Sequence, residues 1–173
     1  MIDFSLFLRY DRKRGKLFWK LRNISWFKTS RSWKIWNTKY AGKEAGTVHS
    51  HGYWSFSLLG KVYKRSRVVW YFENGCLPEK FIDHIDGKIL DDRYKNLRHV
   101  SHQENMKNKK IPSQNTSGVM GVRWKSQMNK WNAFISPNNR QIHLGYFDKK
   151  EEAIKARKEA ETRYGFHKNH GRK

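Results

Sequence analysis

The chain has 173 residues, and its 37 Lys and Arg against 15 Asp and Glu leave a formal net charge of +22 at pH 7. A charge of that sign favours a polyanionic partner, most generally nucleic acid, whether the protein only coats it or acts on it. The single cysteine, Cys76, excludes an internal disulfide and a zinc site built on several thiolates, and the absence of an apolar run of about eighteen residues excludes a membrane-spanning helix.

Residues 1 to about 80 alternate short aromatic or β-branched runs with glycine-containing turns, a pattern that predicts antiparallel sheet. The clearest strands are 15–20 and 52–60, and Lys61–Lys64 is expected to pair back across a glycine turn. The run Arg67–Phe72 fits a short helix that ends near residues 74–75. Periodicity does not separate a helix from a buried strand over so short a run.

Between Arg12 and Lys43 the chain has eleven Lys or Arg and no acid, and tryptophans are interleaved with the basic residues. Basic and aromatic side chains together suit phosphate contact and base stacking. We expect Trp19 to lie in the core. For Trp33 and Trp36 the sequence does not decide between packing and contact with nucleic acid.

The most informative pattern is an adjacent Asp83-His84 pair followed at fixed distances by Asn96 and Asn105. Phosphodiester hydrolysis requires a base to activate water and a hard cation to neutralise charge on the leaving oxygen. An imidazole beside a carboxylate, with amide oxygens further along the chain, supplies the side chains for both tasks.

The segments around this pattern are predicted to form a β-hairpin packed on a helix. Phe81–His84 is expected to be the first strand, and residues 97–100 the returning strand. Ser101 and Glu104 have the spacing of a capping box, so a helix is expected to begin there and to carry Asn105 towards the hairpin.

Four of the acids fall within ten residues, at Asp83, Asp86, Asp91 and Asp92. Like charges so close together are favourable mainly where a cation or basic groups offset them, so the cluster is a candidate metal site. For Asp86, Asp91 and Asp92 we prefer the alternative that they are turn and helix-cap residues.

Residues 107–117 have no apolar periodicity and are predicted to be a linker. Three runs separated by asparagine-containing turns follow, and each is predicted to be a strand. They are residues 119–125, 130–135 and 141–147. Asp148 is expected to cap a helix from about Lys149 to Tyr164, and residues 166–173 to form a basic tail.

The hairpin segment and its flanks resemble the HNH nucleases, in the branch that carries Asn in place of the last His, as in phage and intron homing endonucleases. The resemblance extends over residues from about 8 to 110. The matching segments are Gly15–Trp19, Gly52-Tyr53, Arg67–Trp70, Gly75 and Asp83–Gly87. Ser66 stands where many relatives have His, which concerns a supporting contact rather than the metal site.

This resemblance implies a role for each residue of the pattern. His84 would be the general base that polarises water for attack on the scissile phosphate. Asp83 and Asn105 would hold one divalent cation, Mg²⁺ or Mn²⁺. Asn96 would brace the hairpin loop and orient His84.

Residues 117–165 resemble the DNA-binding domain of plant ethylene-response factors, which also occurs attached to phage homing nucleases. In that family a three-stranded sheet lies in the major groove, with a helix packed behind it. The resemblance implies that the DNA-facing residues are Arg123, Trp124, Lys125, Lys130, Trp131 and Arg140. The alternative is that Trp124 and Trp131 belong to the core, which would leave only the charged residues to contact DNA.

We therefore expect an α+β protein of two parts. Residues 1–110 would form a ββα-metal nuclease with an N-terminal antiparallel β region, and residues 117–165 a sheet-and-helix DNA-binding domain. The expected activity is metal-dependent, site-directed nicking of double-stranded DNA by a monomer, as in a phage homing endonuclease. The alternatives are a non-catalytic DNA-binding regulator and an RNA-binding protein.

The start of the chain has no basic segment followed by an apolar stretch of sufficient length, so no signal peptide is expected. The expected compartment is the cytoplasm, which would be that of the host cell if a phage encodes the protein. The single cysteine is compatible with this reducing environment.

Overall fold

The computed structural model describes residues 2–50 and 52–172, and in it the chain divides into two units between His99 and Val100. Each unit combines helices with small sheets, in agreement with the predicted α+β class. None of the described helices is long and apolar enough to cross a membrane.

Short strands joined by tight turns form the framework of the first unit. Its elements are β1 (Leu8–Asp11), β2 (Lys16–Trp19), α1 (Ser30–Tyr40), β3 (Thr47–Val48), β4 (Trp54–Leu58), β5 (Lys61–Lys64), α2 (Arg65–Asn74), β6 (Phe81–His84) and β7 (Leu97–Val100). Strand β1 pairs with β2, strands β3, β4 and β5 form a second sheet, and β6 pairs with β7. Single 3-10 turns cover Phe4–Leu6, Ile24–Trp26 and Tyr94–Asn96.

The β1–β2 hairpin turns at Gly15, whose backbone has a φ of +66°. The Gly15 amide donates to the carbonyl of Asp11 at 2.9 Å and closes the turn. A Cβ atom at this position would lie 2.3–2.6 Å from backbone atoms of Asp92 and Arg93. Glycine therefore allows the hairpin to approach the loop that joins β6 to β7.

Helix α2 supplies the centre of the first unit's apolar core. Val68 and Val69 are fully buried and pack with residues of β1, β2, β4 and β7. The helix ends at Gly75, which takes the left-handed conformation (φ +75°) while its amide donates to the carbonyl of Tyr71 at 2.8 Å. The segment whose type the periodicity left open is therefore a helix.

Three tryptophans of the basic N-terminal segment, Trp19, Trp33 and Trp36, are packing residues. Trp19 is buried, as predicted, and meets the rings of Trp36 and Phe56 edge-on, with centroids 5.7 and 5.5 Å apart. The guanidinium carbon of Arg22 lies 3.7 Å from the ring centroid of Trp36, and Trp33 Nε1 donates to the Arg22 carbonyl at 2.8 Å. The two tryptophans that the sequence left undecided are thus half-buried parts of the fold.

The sequence predicted no element for Ser30–Tyr40, where the structure has helix α1. Thr29 caps it, since its side-chain oxygen accepts from the amide of Ser32 at 3.1 Å. None of the helix residues is fully buried, so α1 lies at the surface. Its aromatic residues Trp33, Trp36 and Tyr40 follow a helical spacing and are half-buried, and Trp36 and Tyr40 pack against the core. This spacing was a sequence signal for the helix that the prediction missed.

Within its described residues, 100–172, the second unit contains a three-stranded antiparallel sheet, two helices and two 3-10 turns. The elements are α3 (His102–Met106), β8 (Val122–Lys125), β9 (Lys130–Ile135), β10 (Ile142–Phe147) and α4 (Lys150–Arg163), with single 3-10 turns at Ser126–Met128 and Pro137–Asn139. Strand β9 lies between β10 and β8. All three strands and α4 lie close to their predicted positions.

The core of the second unit is small and lies between the sheet and α4. Val122 and Ala133 from the sheet pack with Ala153 from the helix. The predicted helix cap was wrong. Lys149 occupies the cap position without a side-chain hydrogen bond, and Asp148 instead pairs with Lys130 across 3.1 Å.

The predicted linker, 107–117, and the predicted basic tail, 166–173, are joined in the structure. The Lys107 carbonyl accepts from His167 at 3.1 Å, the Lys109 carbonyl accepts from Gly171 at 2.8 Å, and the Ile111 amide donates to Arg172 at 2.9 Å. The division between the units therefore falls before α3 rather than in the linker. The backbone of this segment thus finds its hydrogen-bond partners in the C-terminal tail.

Candidate active site

Asp83 and His84 end strand β6, and the chain returns through a twelve-residue loop (85–96) to β7. The Ile85 amide donates to the carbonyl of Asn96 at 2.8 Å, so the two strands stay paired just past the Asp-His dipeptide. Both Asp83 and His84 are buried. Both predicted strands of the hairpin, β6 and β7, are therefore present.

Asn96 ties together the two ends of this loop. Its side-chain oxygen accepts from the Asp86 amide at 3.0 Å, and its side-chain nitrogen donates to the Asp91 carbonyl at 2.9 Å. Asn96 itself is only 7% exposed. An amide that both donates and accepts suits a loop with unpaired groups of each kind.

Asp86 and Asp91 act as turn residues, as preferred from the sequence. Asp86 accepts from the backbone amide of Lys88 at 2.8 Å. Asp91 accepts from the backbone amide of Arg93 at 3.2 Å and also pairs with its guanidinium. That side-chain hydrogen bond with Arg93 lowers the pKa of the Asp91 carboxyl.

The interpretation of Asp92 as a turn or cap residue was wrong. Asp92 is 2% exposed, and its Oδ1 lies 2.8 Å from Nε2 of His84, which is 3% exposed. The ring of Tyr53 lies on another side of the histidine, with centroids 6.3 Å apart. A buried carboxylate thus holds the candidate base.

Arg65, the first residue of α2, balances the charge of Asp92. Its Nε donates to Asp92 Oδ2 at 2.6 Å, its Nη1 to Glu44 at 2.6 Å and its Nη2 to the Leu90 carbonyl at 3.1 Å. Lys16 donates to the other oxygen of Glu44 at 2.7 Å. Buried charges are tolerated when they are paired and hydrogen-bonded in this way.

Asp83 is paired with Arg98 of the neighbouring strand. Both Nε and Nη2 of Arg98 donate to Asp83 Oδ2, at 3.0 and 2.7 Å. Asp83 is therefore held in place by a two-point ion pair, and its side chain is a hard oxygen donor of the kind that a divalent cation prefers.

Asn105 lies on α3 in the second unit. The capping box that predicted this helix is present, with Ser101 accepting from the Glu104 amide and Glu104 accepting from the Ser101 amide. Among residues 2–50 and 52–172, no group of three or more His, Cys, Asp or Glu side chains could hold a metal ion. Carboxylate and asparagine amide oxygens are hard donors of the kind that Mg²⁺ and Mn²⁺ accept.

The sheet of the second unit presents a polar face away from α4. Arg123, Asn132 and Tyr146 are neighbours across its three strands, and Lys125 pairs with Lys130 in the next row. Arg123 also lies over the ring of Phe134, 5.1 Å from its centroid, on the same face. Arg140 is exposed at the turn between β9 and β10.

The placement of the two tryptophans differs from the DNA-facing prediction. Trp131 packs against the apolar core, and Trp124 is its partner across β8 and β9. Successive residues of a strand face opposite sides, so both rings share the helix-facing side with Val122 and Ala133. Trp124 is 45% exposed because it lies towards the end of the strand.

Comparison with known proteins supplies a class for the first site. Residues 63–107, a range that includes Asp83, His84, Asn96 and Asn105, match the family model described as HNH endonuclease, so the chain carries an HNH endonuclease domain. The match ends before β8.

The chain is also 36% identical over 88 residues to Protein 3.8 of Escherichia phage T7, and this alignment covers 50% of the chain and 73% of the phage protein. Because it spans more than two thirds of the phage protein, the chain belongs to the same family as Protein 3.8. No solved structure matches the chain.

Proposed function

We propose that the protein is a metal-dependent, site-directed endonuclease that hydrolyses phosphodiester bonds in double-stranded DNA, as a phage homing endonuclease does. The observation that carries the proposal is the adjacent Asp83-His84 pair at the end of β6, inside the HNH-matched range, with the histidine held by a buried carboxylate. A protein that only coats nucleic acid needs none of these groups together.

His84 would take a proton from the attacking water, and the resulting hydroxide would displace the leaving oxygen at phosphorus. Asn96 would brace the loop of residues 85–96, which follows His84, through its two hydrogen bonds to the backbone. Asp83 and Asn105 would hold the cation. When bound, a divalent cation would neutralise charge on the non-bridging and leaving oxygens.

The outer face of the second unit's sheet is the proposed DNA-reading surface. Arg123, Lys125 and Lys130 share that face, and Arg140 lies exposed at its end. Arginine can bind guanine through two hydrogen bonds, and lysine usually meets phosphate. Trp131 is left out of this surface because it packs on the core, and Trp124 because it lies on the same side.

Strand nicking by a monomer follows from the single Asp-His set in the sequence. One site engages one scissile phosphate at a time, and the two strands of DNA run antiparallel. A net charge of +22 on each copy also opposes association of two copies. We therefore propose that linear DNA arises from a second cut at a later time, in the cytoplasm of a host cell.

The decisive experiment incubates the protein with supercoiled plasmid and Mg²⁺, then repeats it with chelator and with the His84→Ala variant. Open circles should form early with the wild type, linear DNA should follow late, and neither the chelated sample nor the variant should cut. His49→Ala is the matched control, since His49 is exposed and outside the site.

DNA affinity measured in parallel separates the alternatives. His84→Ala should bind within a few-fold of wild type, because the basic contacts remain. Binding of DNA or RNA without any cutting by the wild type would favour a non-catalytic regulator or an RNA-binding protein. Equal loss of binding and cutting in a folded His84→Ala variant would make His84 structural.

A further inference from the structure

We infer that Asp92 is a positioning residue for His84, and that a chain of ion pairs from buried Asp92 through buried Arg65 to half-buried Glu44 sets which ring nitrogen of His84 carries the proton. The inference rests on the proposed nuclease function for its consequence, but its geometry does not depend on it. His84, Asp92 and Arg65 are each at most 3% exposed.

The proton position follows from the chemistry of the partners. Asp92 Oδ2 accepts a hydrogen bond from Nε of the Arg65 guanidinium at 2.6 Å, so this carboxylate is one half of a buried ion pair. An ionised carboxylate can only accept, so at Oδ1 it accepts from Nε2 of His84, 2.8 Å away. A ring that holds a single proton therefore carries it on Nε2 and has its lone pair on Nδ1.

This proton position is the one that general-base catalysis through Nδ1 requires. Nδ1 takes a proton from water, the hydroxide forms the new bond to phosphorus, and the leaving oxygen departs with its electron pair. The imidazolium keeps its Nε2 proton on Asp92, whose negative charge stabilises it. Asp92 touches no reacting atom and acts only through His84.

Arg65 and Glu44 make the position of Asp92 rigid. Arg65 is held at three points, by Asp92, by Glu44 and by the Leu90 carbonyl, and Glu44 is in turn bonded to Lys16. Without Arg65, the buried Asp92 carboxylate would lose its ion-pair partner, and an uncompensated buried charge is costly. This chain of ion pairs therefore holds the Asp92 carboxylate in one orientation.

The close approach of Gly15 adds a steric constraint on the same carboxylate. The hairpin turn at Gly15 lies against the backbone of Asp92 and Arg93, where no Cβ would fit. The backbone that carries Asp92 is therefore packed from one side while its side chain is bonded from the other. A residue whose role was only to close a turn would need neither contact.

The first test reads the proton directly, by long-range ¹H–¹⁵N NMR of the metal-free, full-length protein labelled at histidine nitrogens. His84, assigned by comparison with His84→Gln, should show Nε2 protonated and Nδ1 unprotonated. A wild-type His84 with its proton on Nδ1 would overturn the inference. This result stands whether or not the protein cuts DNA, so it is separate from any failure of the proposed function.

The second test is Asp92→Asn, with Asp11→Asn as the matched control in the same unit. The introduced amide should keep its oxygen on Arg65 and turn its NH₂ group to His84, which forces the ring proton to Nδ1. By analogy with the serine-protease triad, where this exchange gives the wrong tautomer, single-turnover cleavage should fall by on the order of 10³–10⁴-fold. DNA affinity should stay within a few-fold.

The Asp11→Asn control should behave as wild type in both measurements, since Asp11 lies in the β1–β2 turn. Asp92→Asn that keeps the Nε2 proton, or that cuts at the wild-type rate, would contradict the inference. Circular dichroism checks that the variant is folded. If Asp92→Asn does not fold, the wild-type NMR measurement still decides the question.

Discussion

Each unit buries a histidine beside an arginine and an acid, and the two arrangements give the imidazoles opposite roles. In the first unit, His84 Nε2 meets the Asp92 carboxylate at 2.8 Å. In the second, His170 Nε2 meets the Arg157 guanidinium at 3.1 Å. A carboxylate makes the ring nitrogen a donor, whereas a guanidinium has only N–H groups and makes it an acceptor.

In the second unit, the surroundings of His170 oppose its protonation. Burial, with the Arg157 charge as a further cause, lowers the pKa of His170 to about 4, although Glu161 acts in the opposite direction. His170 is therefore neutral near pH 7 and serves to hold the C-terminal segment. His84 instead has a carboxylate on Nε2, and in the proposed function its Nδ1 would take the proton. The sign of the partner thus decides which buried histidine can serve as a base.

The largest expected effect concerns the first unit and its proposed metal ligand, Asp83. Asp83→Ala should lower cleavage by about a thousandfold or more, because loss of transition-state charge stabilisation is costly. Extra Mg²⁺ should not restore it. Mn²⁺ binding followed by electron paramagnetic resonance should weaken in parallel, whereas Asp11→Ala should leave cleavage and binding unchanged. Full activity of Asp83→Ala would remove Asp83 from the site.

A smaller effect tests the second arrangement through pH. The pKa of His170 is about 4 in the folded protein against 6.5 as its ordinary value, so the unfolded chain binds the proton more readily. This contribution to stability is complete above the unfolded value and is lost as pH falls through the window from 6.5 to 4. Between pH 7.5 and pH 5 the loss should be about 2 kcal/mol.

The measurement is urea unfolding at both pH values for wild type and His170→Gln. The glutamine oxygen can still accept from Arg157, but it does not titrate, so the variant should lose about 2 kcal/mol less on acidification. Cleavage by His170→Gln should match wild type at pH 7.5. An equal pH dependence in the two proteins would mean that His170 is not the buried acceptor described above.

The smallest effect compares the two faces of the second unit's sheet. Arg123→Ala should weaken DNA binding by about tenfold, or ~1.4 kcal/mol, with little change in thermal stability, because Arg123 is exposed on the outer face. Trp124→Ala, on the helix-facing side, should instead lower stability more than affinity. Filter binding and thermal unfolding of both variants would show whether the faces are divided in this way.

The local sequence was sufficient to predict the elements whose ends are set by residues a few positions away. The capping box at Ser101, the left-handed glycine after α2 and the asparagine turns of the second unit each act within a few residues. The strand that ends in Asp83-His84 was also predictable, since an apolar run precedes the turn. These signals placed the candidate base and its neighbouring carboxylate before any fold was known.

Only the tertiary structure decided what surrounds those residues. Asp92 and Arg65 are 27 positions apart, and no periodic pattern in the sequence indicates that they form an ion pair. The same holds for the Gly15 turn, which packs against the backbone of Asp92 and Arg93. The side of the sheet that faces the core depends on where α4 packs, so Trp131 could not be assigned from its strand alone. Backbone preferences are local, whereas ion pairs and core packing depend on groups that folding brings together from distant parts of the chain.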